Sequence, residues 1–423
     1  MTDLSKGVTI RTKNFKTIKV LEKLGEGGQG SVHKVDYGGE LKALKWYFAK
    51  RIRDPKKFRE SLENNIKKGA PTSAFLWPED ITEDSHGSFG YIMPLRPKEY
   101  AEFSKFLIGR VAFSGLTAIC NAALNIVAGF RELHNKGYSY QDLNDGNFFI
   151  NPKNGAVLIC DNDNVSEFGK SSGIAGKARY MAPEIVKGGD PDKQSDRYSL
   201  SVILFLLWTN SHPLEGRSAC PPCMDAKSER RIYGENPIFI FDPLDASNRP
   251  VQGLHKGAIS RYPLLPKYLQ EKFKEAFSKQ VMSDPHSRII ERDWLHLFIR
   301  MRGEVYKCAC GEVYFADPVE LNPCPKCRNS AAFFGYFKAP RYNLNIHQKT
   351  KLYACHSHKD DDDFQTLVGQ VAADATGLKL QNASSKSWSV TDEGKTIELK
   401  QNETIALKKG LTIDFGDSKI EIV

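Results

Sequence analysis

The chain has 423 residues, of which 40% are apolar and 26% charged, a balance that excludes a collagen, a coiled coil or a generally disordered polymer. At this length a single hydrophobic core is not expected, and two or three domains are. A formal charge of +9 is a mild excess that suits phosphates, acidic protein segments or nucleic acid but reads first as a solvated surface.

Residues 1–19 are polar with scattered lysines, and the most apolar run, Leu200 to Trp208, is far shorter than the about 18 residues a membrane span needs. A soluble, cytoplasmic protein without membrane partners is expected. Nine cysteines without an apolar leader argue against a disulfide framework.

In chain order, Lys19 to Leu24 and Ser31 to Val35 read as strands around a glycine-rich turn, and Leu41 to Trp46 as a third. Pro55 to Lys68 has helical spacing, with Phe58, Leu62 and Ile66 on one face. Gly90 to Leu95 reads as a strand running into a proline-marked connection. Gly115 to His134 is a long apolar helix, and Phe148–Ile150 and Val157–Ile159 are two short strands. Ser195 to Trp208 is a buried helix, and residues 210–262 form an irregular insert. Lys267 to Ser283 and Ile289 to Met301 are amphipathic helices. Strands first and helices afterwards give a two-lobed α+β architecture. After Cys308 the chain becomes Cys- and Pro-punctuated. It ends in short alternating runs (Ile397–Leu399, Ile405–Leu407, Leu411–Ile413, Ile420–Ile422) that suit a small all-β sandwich. The acidic run Asp360–Asp363 reads as a solvated linker.

The segment from Gly25 through Gly27, Gly28 and Gly30 to Val32 fits G-x-G-x-x-G-x-V, in which glycines let backbone N–H groups approach a polyphosphate. A dinucleotide site would need a helix directly after the glycines, whereas Ser31 to Val35 reads as a strand. Lys45 sits inside an apolar strand and is costly there without a partner, unless it reaches solvent. The next helix offers Glu60 and Glu63, of which Glu63 is preferred because Ile66 anchors the same face. Asp142 and Asn147 stand five apart on a loop before a strand pair, and Asp161 follows that pair. A carboxylate to take a hydroxyl proton and oxygen ligands for magnesium are what phosphoryl transfer asks of a protein.

Ala182-Pro183-Glu184, Asp196 and Arg288 follow in order, and with them residues from about 15 to 300 resemble the eukaryotic-type (Hanks-type) protein kinases. The resemblance implies a two-lobed protein kinase fold that uses ATP with Mg2+ or Mn2+ on serine/threonine hydroxyls of protein substrates. It implies that Gly25, Gly27, Gly28, Gly30 and Val32 cover the nucleotide, and that Lys45 binds its phosphates and pairs with Glu63. Met93 would be the gatekeeper and Pro94, Leu95 and Arg96 the hinge to adenine, Asp142 would be the base, and Asn147 and Asp161 would hold magnesium. Glu184 would pair with Arg288, and Asp196 would brace the catalytic loop. Three places depart from the pattern: Tyr140-Gln141 stand for His-Arg, Asn144 for a lysine, and Asn162-Asp163 for Phe-Gly. Asp163 therefore rivals Asp161 as a metal ligand. Loss of the arginine implies weaker dependence on activation-loop phosphorylation, which Ser171 and Ser172 would test. A nucleotide-binding pseudokinase scaffold is the alternative reading.

Cys308-x-Cys310 and Cys324-x-x-Cys327 can converge on one tetrahedral ion, resembling a structural zinc ribbon, with redox thiols as the alternative. Cys220 and Cys223 in the insert are either two thiols or, with His212, a second metal site. The C-terminal run distantly resembles a forkhead-associated (FHA) sandwich without its phosphothreonine-binding residues; a plain docking sandwich is the alternative. The expected boundaries are 1–302 for the kinase domain (lobes at about 15–95 and 96–302), 303–336 for the ribbon, 337–363 for a linker and 364–423 for the sandwich. The overall layout resembles bacterial stress-associated kinases, some of which accompany a phosphatase and a von Willebrand A-type protein. Nucleic acid is not an expected partner, for no aromatic-interleaved basic patch is present.

Overall fold

The computed structural model describes residues 4–52, 54–85, 87–169, 176–220 and 225–423. Ser171, Ser172 and Cys223 lie outside the described residues. The chain divides into two compact units: one of Met1–Phe113, Asn125–Leu264 and Gln270–Glu291, the other of Ser114–Leu124, Leu265–Leu269 and Arg292–Val423.

The first unit begins with strands β1 (Thr9–Arg11), β2 (Thr17–Glu26), β3 (Gly30–Tyr37), β4 (Glu40–Tyr47), β5 (Asp80–Ile81) and β6 (Gly90–Pro94). They form an antiparallel sheet in the order β1-β2-β3-β4-β6-β5. The period of two along β4 assigns its faces. Leu44 and Trp46 join Ile10, Ile18, Val20, Val35 and Ile92 in one apolar cluster, while Ala43 and Tyr47 join Leu62, Tyr91 and Met93 in another. Lys45 lies between Ala43 and Tyr47 and so faces the second cluster.

Helix α1 (Pro55–Lys68) crosses that face. Asp54 caps it by accepting the Lys57 N–H at 3.1 Å, Pro55 opens it, and Gly69, at φ 74°, ends it. Leu62 and Asn65 are its buried positions. Asn65 donates from Nδ2 to the Val165 carbonyl at 3.1 Å and accepts Trp77 Nε1–H at its own carbonyl at 2.9 Å.

After α1 the unit is mainly helical. In Lys193–Thr209 every residue from Tyr198 to Thr209 is buried, and the first turn is closed by an Asp192–Ser195 capping box. Phe148–Ile150 and Val157–Ile159 pair antiparallel. The expected single helix from Lys267 to Ser283 is two, Lys267–Ala276 and Lys279–Ser283, because Ser278 caps the second by accepting the Val281 N–H at 3.3 Å. The insert holds short helical pieces such as Lys256–Arg261, and Asn248 pins it by donating to the carbonyls of Leu214 (2.8 Å) and Ile238 (2.6 Å).

The second unit contains the hairpin Val305–Lys307 with Val313–Phe315 and two larger sheets. The six-stranded sheet runs, in spatial order, Asn343–Ile346, Gly335–Lys338, Lys419–Ile422, Thr412–Asp414, Trp388–Asp392 and Lys395–Leu399. The four-stranded sheet is Lys351–Tyr353, Leu367–Asp374, Gly377–Asn382 and Thr404–Ala406. They meet where Gly369 lies against Trp388; a Cβ at 369 would stand 2.8 Å from the indole ring. Residues 337–363 are therefore not a linker. They supply strands to both sheets, and the acidic run is not merely solvated: Asp362 accepts from Arg341 Nη1 at 2.8 Å and from His296 Nε2 at 2.9 Å. Among the described residues no helix is long and apolar enough to cross a membrane.

Candidate active site

The glycine-rich turn joins β2 to β3, with Gly27 N–H donating to the Gly30 carbonyl at 2.8 Å. Its glycines have different reasons. A Cβ at Gly30 would lie 2.1 Å from the Trp46 carbonyl oxygen, so the β3–β4 pairing itself forbids a side chain there. At Gly25, Gly27 and Gly28 a Cβ would meet no atom within 4 Å. Beneath the turn, Val32 and Leu95 pack on the buried cluster of Ala43, Met93 and Cys160, and Met93 and Pro94 end β6 opposite Ala43 and Lys42.

Lys45 does not pair with Glu63. Its ammonium donates to both oxygens of Asp163, at 3.0 and 2.8 Å, and to Asp161 Oδ1 at 3.3 Å. The Asp163 side chain is 0% exposed and also accepts the hydroxyl of Tyr47 at 2.6 Å, with Tyr91 at 3.4 Å. Burial disfavours the charge on Lys45, but Asp163 and Asp161 outweigh it and hold the ammonium well above its ordinary value. Glu63 turns to the flank of α1, where Lys13 and Arg59 bind it; hydrogen bonding to Lys13 is the main cause of its lowered pKa. The physical reason is helical phase. Leu62 and Asn65 take the inward face, which leaves the intervening Glu63 at the rim. Both oxygens of Asp163 accept from Lys45, and Oδ2 accepts from Tyr47 as well.

The catalytic-loop candidates are held by backbone and neighbours. Asp196 accepts the N–H groups of Tyr140 (2.6 Å) and Gln141 (3.1 Å). It also meets His134 Nε2 at 3.1 Å, while His134 Nδ1 meets Glu291 at 2.8 Å. The Tyr140 hydroxyl donates to the Cys160 carbonyl, tying the loop to the residue just before Asp161. Asn147 accepts the Asn144 N–H at Oδ1 (2.8 Å), and its carbonyl accepts the Cys160 N–H at 2.9 Å. Asp161 has φ 56°, a left-handed conformation that aspartate visits at modest cost and that is characteristic of constrained sites. Burial pushes the Asp142 carboxyl up to about 6, with Asp161's charge adding to it and the Asn144 amide and Lys177 opposing it. Arg288 donates to both Glu184 oxygens, at 2.8 and 2.6 Å, and to the Gln194 carbonyl at 2.9 Å.

The site thus brings Lys45, Asp142, Asn147 and Asp161 together, with Asp163 added and Glu63 left out. Asp161, half-exposed, and Asn147, whose Oδ1 retains a lone pair, are the hard oxygen donors that magnesium takes.

In the second unit, the Sγ atoms of Cys308, Cys310, Cys324 and Cys327 lie within 4.8 Å of one another, with Cys308–Cys327 at 3.6 Å and Cys310–Cys324 at 3.7 Å. A tetrahedron of sulfurs around zinc has edges of about 3.8 Å, so the donor set and its spacing both fit. His212 is not a metal ligand. Its Nε2 meets the Arg179 carbonyl at 2.7 Å and its Nδ1 accepts the Leu214 N–H at 3.2 Å, and burial pushes its pKa down to about 4.

Residues 18–289 match the protein kinase domain family. Among curated proteins, the chain is 22% identical over 255 residues (58% of this chain, 36% of the relative) to a probable serine/threonine-protein kinase of Clostridium perfringens. It is 26% identical over 216 residues (47% and 33%) to serine/threonine-protein kinase PknB of Mycolicibacterium smegmatis. An Arabidopsis thaliana serine/threonine-protein kinase is 34% identical over 94 residues, 22% of this chain and 20% of that one. The chain therefore spans about a third or less of these relatives' length. Among solved structures, the PknI kinase domain of Mycobacterium tuberculosis is similar at 18% identity and a TM-score of 0.45, covering 69% of this chain and 97% of that one. Because the family match over residues 18–289 spans more than half of the chain, this protein belongs to the protein kinase family.

Proposed function

We propose that this protein is an active serine/threonine protein kinase that transfers the γ-phosphoryl group of ATP to hydroxyls of proteins, itself included. The observation that carries the reading is the gathering of Lys45, Asp161 and Asp163 through hydrogen bonds of 2.8 to 3.3 Å, with Asp142 near enough for Asp161's charge to act on it. Magnesium or manganese, held by Asn147 and Asp161, would neutralise phosphate charge. Lys45 is presented to the phosphates with its charge secured, and the open space at Gly25, Gly27 and Gly28 leaves their backbone accessible. Val32, Met93 and Leu95 offer an apolar seat for a base. Asp142 accepts the hydroxyl proton, and Asp196 fixes the loop that carries it. Incubation with labelled ATP and magnesium, comparing the unaltered chain with Asp142→Ala, is expected to show incorporation only in the former. Nucleotide binding without incorporation in either would favour the pseudokinase scaffold, whose supporting observation is Asn144 in place of a lysine.

The four-cysteine cluster is proposed to hold one structural zinc. Elemental analysis is expected to find one zinc per chain, absent in Cys324→Ser. The C-terminal module is proposed to be an FHA-like docking sandwich that begins at Gly335 rather than Phe364. It is given no phosphothreonine site: Arg341 is the only arginine after Arg328, and it is occupied by Asp362 and the Asp361 carbonyl. A role in bacterial stress signalling, with a phosphatase and a von Willebrand A-type protein as companions, rests on the layout alone. Co-purification of either companion would test it.

A further inference from the structure

We propose that Lys177 supplies the cation that position 144 lacks, and that its ammonium contacts the phosphoryl group in transit. The inference rests on the phosphotransferase reading above. Asn144 stands where the family carries a lysine, and an amide cannot offset the charge on transferring phosphoryl oxygens. The Asn144 side chain nevertheless keeps a positioning role. Its Nδ2 donates to Asp142 Oδ1 at 3.3 Å and to the Asp142 carbonyl at 3.2 Å, and its Oδ1 accepts the Gly146 N–H at 3.0 Å. The same Oδ1 accepts from Lys177 Nζ at 3.2 Å, which places an ammonium one amide away from the base.

Lys177 is brought there by its backbone as well as its side chain. A Cβ at the preceding Gly176 would stand 3.0 Å from Asp142 Oδ1, so the chain at 176–177 runs against the carboxylate at a distance glycine permits. Both the charge and the backbone N–H of Lys177 act on Asp142. Among the described residues, Lys45 is committed to Asp163 and Asp161, and Arg179 to Glu215, with Nη2–Oε2 at 2.9 Å. Lys177 is held loosely by comparison. Its side chain is 61% exposed, and among the described residues its ammonium meets Asn144 at 3.2 Å and Asp145 at 3.9 Å. A lysine on such ties exchanges them for a phosphate oxygen at little cost.

In the step itself the acceptor hydroxyl oxygen forms a bond to the γ-phosphorus, and its proton passes to Asp142. The bond from that phosphorus to the bridging oxygen breaks, and its electron pair leaves with ADP. Lys177 would act on the non-bridging oxygens during this exchange.

The test compares the unaltered chain, Lys177→Ala, and the double variant Asn144→Lys with Lys177→Ala, which returns a lysine to position 144. ATP titrations and thermal melts are run on each. Lys177→Ala is expected to lower kcat by about 100-fold with KM for ATP held within about threefold, as for loss of a group acting in the transition state. The double variant is expected to regain at least about tenfold of the lost rate. Activity of Lys177→Ala within about twofold of the unaltered chain, or no gain in the double variant, would overturn the inference while the kinase reading stands. No incorporation by the unaltered chain would overturn both.

Discussion

Lys45 shows how one residue's need can be met from an unexpected place. A lysine on the inner face of β4 must find a carboxylate, because an unpaired ammonium in a buried apolar cluster is prohibitive. Asp163, whose hydroxyl partners Tyr47 and Tyr91 come from the same sheet, answers that need more completely than an exposed helix residue could. Asp163→Asn leaves Lys45 with Asp161 alone, and breaking a buried pair costs about 3 to 5 kcal/mol. The expected outcome is a raised KM for ATP, a fall in kcat/KM of about 10- to 100-fold, and a lower urea midpoint. Glu63→Gln alters the pairs with Lys13 and Arg59 at the rim, where an ion pair contributes about 0 to 1 kcal/mol. Its kinetics are expected to stay within about twofold of the unaltered chain. Equal damage from the two variants would refute this assignment.

At the level of elements, the end of one helix and the first turns of two others converge on the catalytic loop. His134 occupies the last turn of Leu116–Asn135, where the helix dipole favours a cation. It faces Asp196 of Lys193–Thr209 and Glu291, the first residue of Glu291–Gly303; Glu291 is held in turn by Arg197 at 2.9 and 3.0 Å. Burial works against protonation, but the bonds to Asp196 and Glu291 prevail and raise the imidazole pKa above its ordinary 6.5. The stability this contributes is fully present below that value and is lost as pH rises through the folded-state pKa. Urea midpoints of the unaltered chain are thus expected to fall as pH is raised above 6.5, and the slope is expected to vanish in His134→Gln. A slope that survives the substitution would assign it elsewhere. How much of this was legible varies by the range of the cause. The strands around the glycine turn, α1 and the order of the loop residues follow local periodicity and turn chemistry, so the sequence displays them. The partner of Lys45 stands 118 residues away and is chosen by tertiary proximity, which no local pattern reports. The break at Ser278 was hidden because a serine cap inside an amphipathic run does not interrupt the apolar period. The strands between Gly335 and Tyr353 were hidden by their shortness and by polar residues such as Asn345, which is buried yet donates to the Ala316 carbonyl at 2.8 Å.

At the level of the whole molecule, the boundary that composition suggests near residue 302 is not where the fold divides. Ser114–Leu124 and Leu265–Leu269 lie inside the stretch that matches the kinase family, yet they belong to the compact unit that also holds the cysteine hairpin and the two β-sheets. Specific contacts explain this membership. The Tyr268 hydroxyl donates to Glu304 at 2.6 Å, and Arg300 reaches Glu304 at 2.7 Å and Asp317 at 2.8 Å. Arg302 donates to Asn121 at 3.2 Å and to the Phe364 carbonyl at 2.9 Å, and its guanidinium lies 4.1 Å from the centre of the Tyr353 ring. A chain ended after Arg302 would lose Glu304, Asp317, Tyr353 and Phe364 in one stroke. It would leave Tyr268 without its acceptor and expose the apolar surface those residues cover. Each of several lost buried contacts is worth about 1 kcal/mol, and for a chain of this size the sum corresponds to a fall in melting temperature of about 5 °C or more. Scanning calorimetry of residues 1–302 beside the full chain checks this. An unchanged transition in the shortened chain would show that the kinase-matching segments hold together without the C-terminal residues, and that their shared membership of one compact unit carries no energetic weight.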